Sequence, residues 1–480
     1  MSTDILAIDV GTSGLKLGVF TRNLDLRRVV SRSYSPRLYD GGKADIDPET
    51  WWSAIVSCCR EIEDDLAGVG VIALSVTTPG LTPMSADGTP LAPAVLFLDG
   101  RSHAQAARIR EIVGEDEFLR GSANLPVSGG SSLASILWFR DERPDVWDAT
   151  DVFGHCNTYI TRRMTGRWAI DPSTTSITGL YSTSRNDLTW NGAVLEAAGI
   201  PERLLPPLMH SHEVVGTILP AVADELRLPP DAVVLCGAND ATLAALSGGI
   251  TEPGDISIIS GTCDIVSVCT DEPISSPAFN VRCHVIPNRW LTFFVLNAGG
   301  EALEWFRRTA CLDMEADAFY GSYLPDALEA FLDCPEIIAR EAELPVYDPH
   351  LGGSRYSLRR LTGAFTGLTL QTSREDLLVS VVRGNMEYLG GHLGAIAGLL
   401  PLGRRVGISG GGARIRGMLA ARRRWTGAFE YKFQDQSSML GAAMLGVMHL
   451  DGVESGGRPG PGLRERQPAT MRAQRTGNPR

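Results

Sequence analysis

Two aspartates and three glycine-bearing turns carry the chemistry that this sequence can do. Asp9 closes an apolar run, residues 5–10, just before the turn Gly11-Thr12-Ser13-Gly14. A carboxylate there either accepts hydrogen bonds from magnesium-bound water or simply caps the turn. Asp240 closes Gly237-Ala238-Asn239-Asp240, between the apolar run 233–236 and a helical stretch that begins at Ala241. It is either an N-cap or a general base that takes the proton of an attacking hydroxyl. Gly11-Thr12-Ser13, Gly261-Thr262 and Gly410-Gly411-Gly412-Ala413 each follow an apolar run. Glycine lets the backbone approach an anion closely, and Thr and Ser hydroxyls add donors, which is what a polyphosphate needs. No GxxxxGK[ST] occurs and no GxGxxG opens a βαβ unit, so a nucleotide would be held by several turns and not by one loop. Lysine occurs only at positions 16, 43 and 432. Lys16, just beyond the first turn, either adds positive charge there or points to solvent.

The elements that must position these residues come in two copies. Residues 5–10, the turn 11–14 and the alternating run that begins at Leu15 predict a hairpin; residues 256–260, the turn 261–264 and residues 265–268 predict a second one. Gly11 and Gly261 lie 250 positions apart in a chain of 480 residues. A repeat at that interval predicts two domains of related architecture, 1–249 and 250–450, divided in the turn-rich stretch 248–254, with a ligand in the cleft between them. From residue 374 to 400, Leu378, Val382, Met386, Leu389, Leu393, Ile396 and Leu400 form one stripe of a long helix stopped by Pro401. Residues 405–409 read as a strand leading into Gly410. The stretch 451–480, rich in Gly, Pro and Arg, is expected to be a disordered tail.

Composition narrows the class. At 44% hydrophobic and 21% charged the chain is globular. A net charge of −12 disfavours nucleic acid as a partner. Nine scattered cysteines without CxxC spacing suggest neither a disulfide framework nor a zinc site, and read as reduced, mostly buried thiols. No apolar run is long enough for a membrane span and no leader pattern opens the chain, so a cytoplasmic protein is expected. The oligomeric state is open, a homodimer being one option.

Taken together, these residues resemble the FGGY family of carbohydrate kinases. The segments that carry the likeness are, in order, DVGTSGLK (9–16), GAND (237–240), SGTCDIV (260–266), NAGGEALEWF (297–306), PHLGGSR (349–355), GAFTGLTL (363–370), GGGAR (410–414) and LGAAMLG (440–446). The resemblance implies an α/β fold of two actin-like (ribonuclease H-like) domains with an interdomain cleft. It also implies ATP- and Mg2+-dependent phosphorylation of a small-molecule ketose or polyol, of xylulose or fuculose type, in carbohydrate catabolism. Asp240 would be the base and Asp9 the magnesium-side carboxylate. Gly11, Thr12, Ser13, Lys16, Gly261 and Thr262 would surround the phosphates, with Gly300 and Gly410, Gly411, Gly412 and Ala413 against the adenosine half. An ATP or polyphosphate hydrolase of the same superfold and a catalytically silent sugar sensor are the alternatives.

The sugar side departs from the commonest family pattern. Where many ketopentose kinases have GQMHG, this chain has Val76-Thr77-Thr78-Pro79-Gly80, without the substrate-contacting His. Thr78, Pro79 and Asn239 are candidate sugar contacts. Phe97-Leu98-Asp99-Gly100-Arg101 looks like the family's WxDxR segment; Asp99 and Arg101 either bind hydroxyls or pair with each other as scaffold. Cys263 replaces the usual Ser or Thr. Arg416 and Arg422-Arg423-Arg424 stand where the family has Trp, Gln and an Ala-Asp pair, either altering adenine contacts or forming a solvated basic face, the blander reading.

Overall fold

The computed structural model describes residues 3–39, 42–335, 341–354, 361–433 and 437–453. The chain divides into two compact units. The first holds the described residues of 1–249, 282–289 and 437–453, the second those of 250–281 and 290–433. Most of the tail expected after residue 451, and Arg355 of the PHLGGSR segment, lie outside the described residues.

In the first unit β1 (Asp4–Val10) and β2 (Gly14–Phe20) form the expected hairpin, and β2 pairs antiparallel with β3 (Leu26–Ser33). The strand β4 (Val69–Val76), apolar but for Ser75 and Gly70, lies parallel to β1 with Ser75 opposite Asp9. Beyond it come β5 (Val214–Thr217) and β6 (Val233–Leu235), in the order β5-β6-β4-β1-β2-β3. The dipeptide Ala238–Asn239 also pairs parallel to β4, opposite Ser75 and Val76. Parallel strands buried on both faces are continuously apolar, and their carboxyl ends are where open α/β sheets bind ligands.

One face of this sheet packs on Trp51, Trp52, Ile55 and Cys59 of the helix Pro48–Glu61 and on Tyr159 and Ile160 of the helix Cys156–Thr165. The other packs on the helix Asp240–Ser247 and on Ser438–Leu450, whose residues 439–448 are all buried. The division expected at residues 250–450 placed this last helix in the second domain. Its apolar surface instead closes over Ile5, Ala7, Val71 and Ala73, so it belongs to the first unit.

In the second unit β7 (Ile256–Ser260), β8 (Asp264–Thr270), β9 (Trp290–Leu296), β10 (Arg405–Ser409) and β11 (Glu430–Phe433) run side by side in the order β9-β8-β7-β10-β11. β9, β8 and β7 are antiparallel, while β10 and β11 continue parallel to β7. The first unit's β3-β2-β1-β4-β6 has the same pattern, so the duplication read from the hairpins extends through five strands. The long helix spans Arg374–Ala397, opened by a capping box of Ser373 and Asp376; the stripe from Leu378 to Ile396 is buried as the spacing predicts, while Leu400 lies beyond the helix and is half-buried. The helix ends at Ala397, before Pro401, with Gly398 N–H capping the carbonyls of Gly394 and Ile396.

All nine cysteines are free thiols, with only Cys263 and Cys334 partly exposed. Among the described residues no helix is long and apolar enough to cross a membrane.

Candidate active site

In the first unit the ends of β1, β4 and the Ala238–Asn239 strand stand side by side, which gathers residues far apart in sequence. Asp9 Oδ1 accepts from Ser75 Oγ at 2.6 Å and Oδ2 from Ser438 Oγ at 2.8 Å. Asp9 therefore does more than cap a turn. The turn after it is closed by Gly11 N–H to Gly14 O at 2.9 Å and braced by Tyr34, whose hydroxyl donates to Gly11 O at 2.8 Å. Thr12 and Thr77 share a hydroxyl–hydroxyl hydrogen bond of 3.1 Å, tying the turn to the Thr77-Thr78-Pro79 segment. Lys16 lies opposite Asp9 in the hairpin register and is exposed.

The helix after Asp240 is capped by its neighbour. Asn239 Oδ1 accepts from Thr242 N at 3.1 Å, while Asn239 Nδ2 donates to Thr78 Oγ1 and to Asp240 Oδ1, both at 2.8 Å. Asp240 Oδ1 also accepts from Ala241 N at 2.7 Å. Its Oδ2 has no hydrogen bond among the described residues. Burial, and after it the Asp9 carboxylate, push the Asp240 carboxyl up to about 6, against the opposing pull of Arg282 and of its two donors. An acid held near that value can both take and release a proton near neutral pH.

The sugar-side candidates fall into two sets. Thr78, Asn239 and Asp240 form one hydrogen-bonded row, joined by Arg282, whose Nη1 donates to Thr78 Oγ1 at 2.8 Å. Pro79 is buried beside Thr78. Behind the row, the buried Asp171 accepts from Ser173 N and Oγ and from Ser211 Oγ, and Ser173 Oγ in turn accepts from Asn239 N at 2.9 Å. Asp99 and Arg101 bond instead to each other and to the segment 44–45. Arg101 Nε donates to Asp99 at 2.8 and 2.9 Å, its Nη2 donates to Asp45 at 2.9 Å, and Ala44 N–H donates to Asp99 at 2.6 Å. With the Asp99 side chain fully enclosed and Arg101 stacked over Trp138, the geometry is that of a scaffold pair.

The second unit assembles the remaining candidates. Gly261 N–H bonds Cys263 O at 3.0 Å, closing the second turn much as the first is closed. The amino end of the helix Gly300–Ala310 docks on it: Gly300 N–H donates to Gly261 O at 2.9 Å and Glu301 N–H to Thr262 O at 3.1 Å. A Cβ at position 300 would stand 2.5 Å from Gly261 O, so only glycine fits. Gly410, at φ +92°, approaches Ser260 so closely that a Cβ would lie 2.1 Å from its carbonyl oxygen. Gly261, Thr262, Gly300, Gly410, Gly412 and the buried Ala413 thus cluster at the ends of β7 and β10, with Gly411 between them in the turn.

One expectation is overturned. Arg416, Arg423 and Arg424 are exposed, the first paired with Asp326 and the last with Glu341, but Arg422 is buried and bonded to Ser260 and Asp264. The helix Met418–Trp425 turns that one arginine inward, so the basic face is not solvated throughout. Residues that sequence reading missed include Ser75, Ser438 and Arg282. Of these only Ser75 left a signal, as the one hydroxyl in an apolar strand.

Comparison with known proteins adds a family. Residues 5–247 match the N-terminal domain of the FGGY family of carbohydrate kinases. The chain is 24% identical over 473 residues to a gluconokinase of Bacillus subtilis, covering 95% of this chain and 89% of that one. It is 24% identical over 454 residues to a xylulose kinase of Staphylococcus xylosus, covering 92% and 90%. The fold matches the crystal structure of xylulose kinase from Rhodospirillum rubrum with a TM-score of 0.85 at 23% identity, over 97% of this chain and 92% of that one.

Proposed function

The chain belongs to the FGGY family of carbohydrate kinases and phosphorylates a sugar with ATP; we propose that the acceptor is a hydroxyl of a ketose or polyol, with Asp240 as the general base. The observation that carries this is the division of labour within the Asp240 carboxylate. Oδ1 is fixed by Asn239 Nδ2 and Ala241 N–H, which leaves Oδ2 as the acceptor for a substrate proton. As the proton moves to Oδ2, the substrate oxygen attacks the γ-phosphorus, the bond to the bridging oxygen breaks and ADP leaves. Thr78 and Asn239 orient the sugar. Thr12, Ser13, Lys16, Gly261 and Thr262 meet the phosphates, and Gly300 and the Gly410–Ala413 turn meet the adenosine half. The reaction then depends chiefly on alignment and charge neutralisation.

Magnesium fits this donor set. Each oxygen of Asp9 accepts from a serine hydroxyl, and a hard cation that arrives with a nucleotide needs only one or two carboxylates from the protein. Asp9 would hold it through water, and the ion would neutralise charge on the transferring phosphate. A second reading, a sugar acid, is favoured by Arg282, because a guanidinium beside Thr78 suits a carboxylate.

The test is ADP release with magnesium-ATP across ketopentoses, ketohexoses, polyols and aldonic acids, with Asp240→Asn in parallel. Turnover on a neutral ketose or polyol that disappears in the variant is the expected result. Turnover on aldonic acids alone would support the second reading, and ADP release without any sugar would point to a hydrolase.

A further inference from the structure

Arg422 has no part in the reading above, yet it is 2% exposed and sits at the base of the second glycine turn. Its Nη2 donates to Ser260 Oγ at 2.8 Å and to Asp264 Oδ2 at 3.0 Å, and Ser260 Oγ donates to Asp264 Oδ1 at 3.1 Å. Ser260 and Asp264 face each other across the hairpin and bracket Gly261-Thr262-Cys263. One guanidinium thus holds both feet of the turn. The same two residues meet the other glycine segments: a Cβ at position 412 would stand 2.7 Å from Ser260 Oγ, and one at 299 would stand 2.7 Å from Asp264 Oδ1.

Stability alone does not account for this pair. Desolvation of two buried charges offsets most of their attraction, and apolar residues of similar volume commonly serve a core as well or better. Here the cost is compounded, since Arg422 Nε and Nη1 have no hydrogen-bond partner among the described residues. The first turn is held without any such charge, by the Tyr34 hydroxyl and the Thr12–Thr77 bond. What the ion pair supplies is a fixed geometry at the junction of three glycine segments.

We propose that Arg422 is a positioning residue for nucleotide binding, which acts through Ser260 and Asp264 to hold the Gly261-Thr262-Cys263 turn ready for the polyphosphate. The inference rests on reading that turn as a phosphate turn. A loop already ordered before binding loses less freedom when the ligand arrives, so the pair acts on affinity.

The experiment compares full-length parent, Arg422→Met/Asp264→Asn, Arg422→Lys and Thr262→Val. It reads Kd by calorimetry for the magnesium complex of a non-hydrolysable ATP analogue and for AMP, with Tm recorded for each. The double variant removes both charges at similar volume, so neither is left buried alone. Its affinity for the ATP analogue is expected to fall about tenfold or more, that for AMP to change less than about twofold, and Arg422→Lys to recover part of the loss. A merely structural pair would move Tm, or weaken both ligands alike. An ATP-analogue Kd within about twofold of the parent, in the folded double variant or in Arg422→Lys should the double variant not fold, overturns the proposal. If Thr262→Val weakens the analogue in that case, only the role of Arg422 fails; if Thr262→Val is also silent, the phosphate-turn reading fails with it.

Discussion

Asn239, and not Asp240, caps the helix 240–247, and the same side chain that accepts from Thr242 N donates to Asp240 Oδ1 at 2.8 Å. Two neighbouring residues thereby divide two tasks. The cap satisfies the helix amino terminus, and Asp240, released from capping, is held with one oxygen fixed and the other available. The link between local helix chemistry and the proposed proton transfer is this single amide.

Replacing Asp240 by Asn should keep nucleotide binding while lowering kcat by about 10²- to 10⁴-fold, the range of a positioned general base. Single-turnover transfer and calorimetric ATP binding on the same preparation separate the two effects. Turnover near that of the parent would remove Asp240 from the role.

The pH dependence follows from the direction of the Asp240 shift. The base must be ionised, so kcat/KM should rise with pH and level off above about 6. Arg282 pulls this carboxyl down, so Arg282→Gln should move the acid limb to higher pH. A limb that stays in place or moves down would mean that another group titrates.

The same shift has a stability consequence of opposite sense. The folded carboxyl titrates near 6 and its reference value is 3.8, so between these the folded state binds more protons and stability falls as pH rises. Above about 6 the buried charge destabilises the fold by on the order of 1 to 2 kcal/mol, allowing for the solvent contact that Asp240 keeps. Asp240→Asn should therefore melt higher than the parent at pH 7.5, with the gap closing below pH 4. A variant that melts lower at pH 7.5 would contradict this.

What the sequence disclosed and what it hid divide along sequence distance. The glycine turns and both hairpins were legible because a tight turn imposes local demands, met by Gly11 and Gly261 within a few residues. The family likeness was legible from ordered segments of the same kind. The partners were not. Ser438 reaches Asp9 across 429 positions, and Arg282 reaches Thr78 across 204. No periodicity encodes such pairings, because they arise only once the sheet is closed by its helices. Arg422 was hidden for a related reason: a run of arginines looks solvated until the packing turns one of them inward.

Thr12→Val tests the first turn. Its hydroxyl bonds Thr77, and its loss removes the tie to the sugar-side segment together with the phosphate donor proposed above. The KM for ATP should rise about three- to tenfold, the effect of one neutral hydrogen bond, with a smaller change in the KM for sugar. ATP kinetics identical to the parent's would show that the phosphates lie elsewhere.

Arg101→Met separates scaffold from substrate contact. The Arg101 side chain is 9% exposed and those of Asp45 and Asp99 are 8% and 0%. Deleting the cation leaves two buried carboxylates without their partner, which costs about 3 to 5 kcal/mol. The variant should therefore lose melting temperature, while its folded fraction keeps a sugar KM within about twofold of the parent's. A variant with unchanged Tm and a sugar KM raised tenfold would reverse the assignment, since only a residue that touches the sugar would move binding without moving stability.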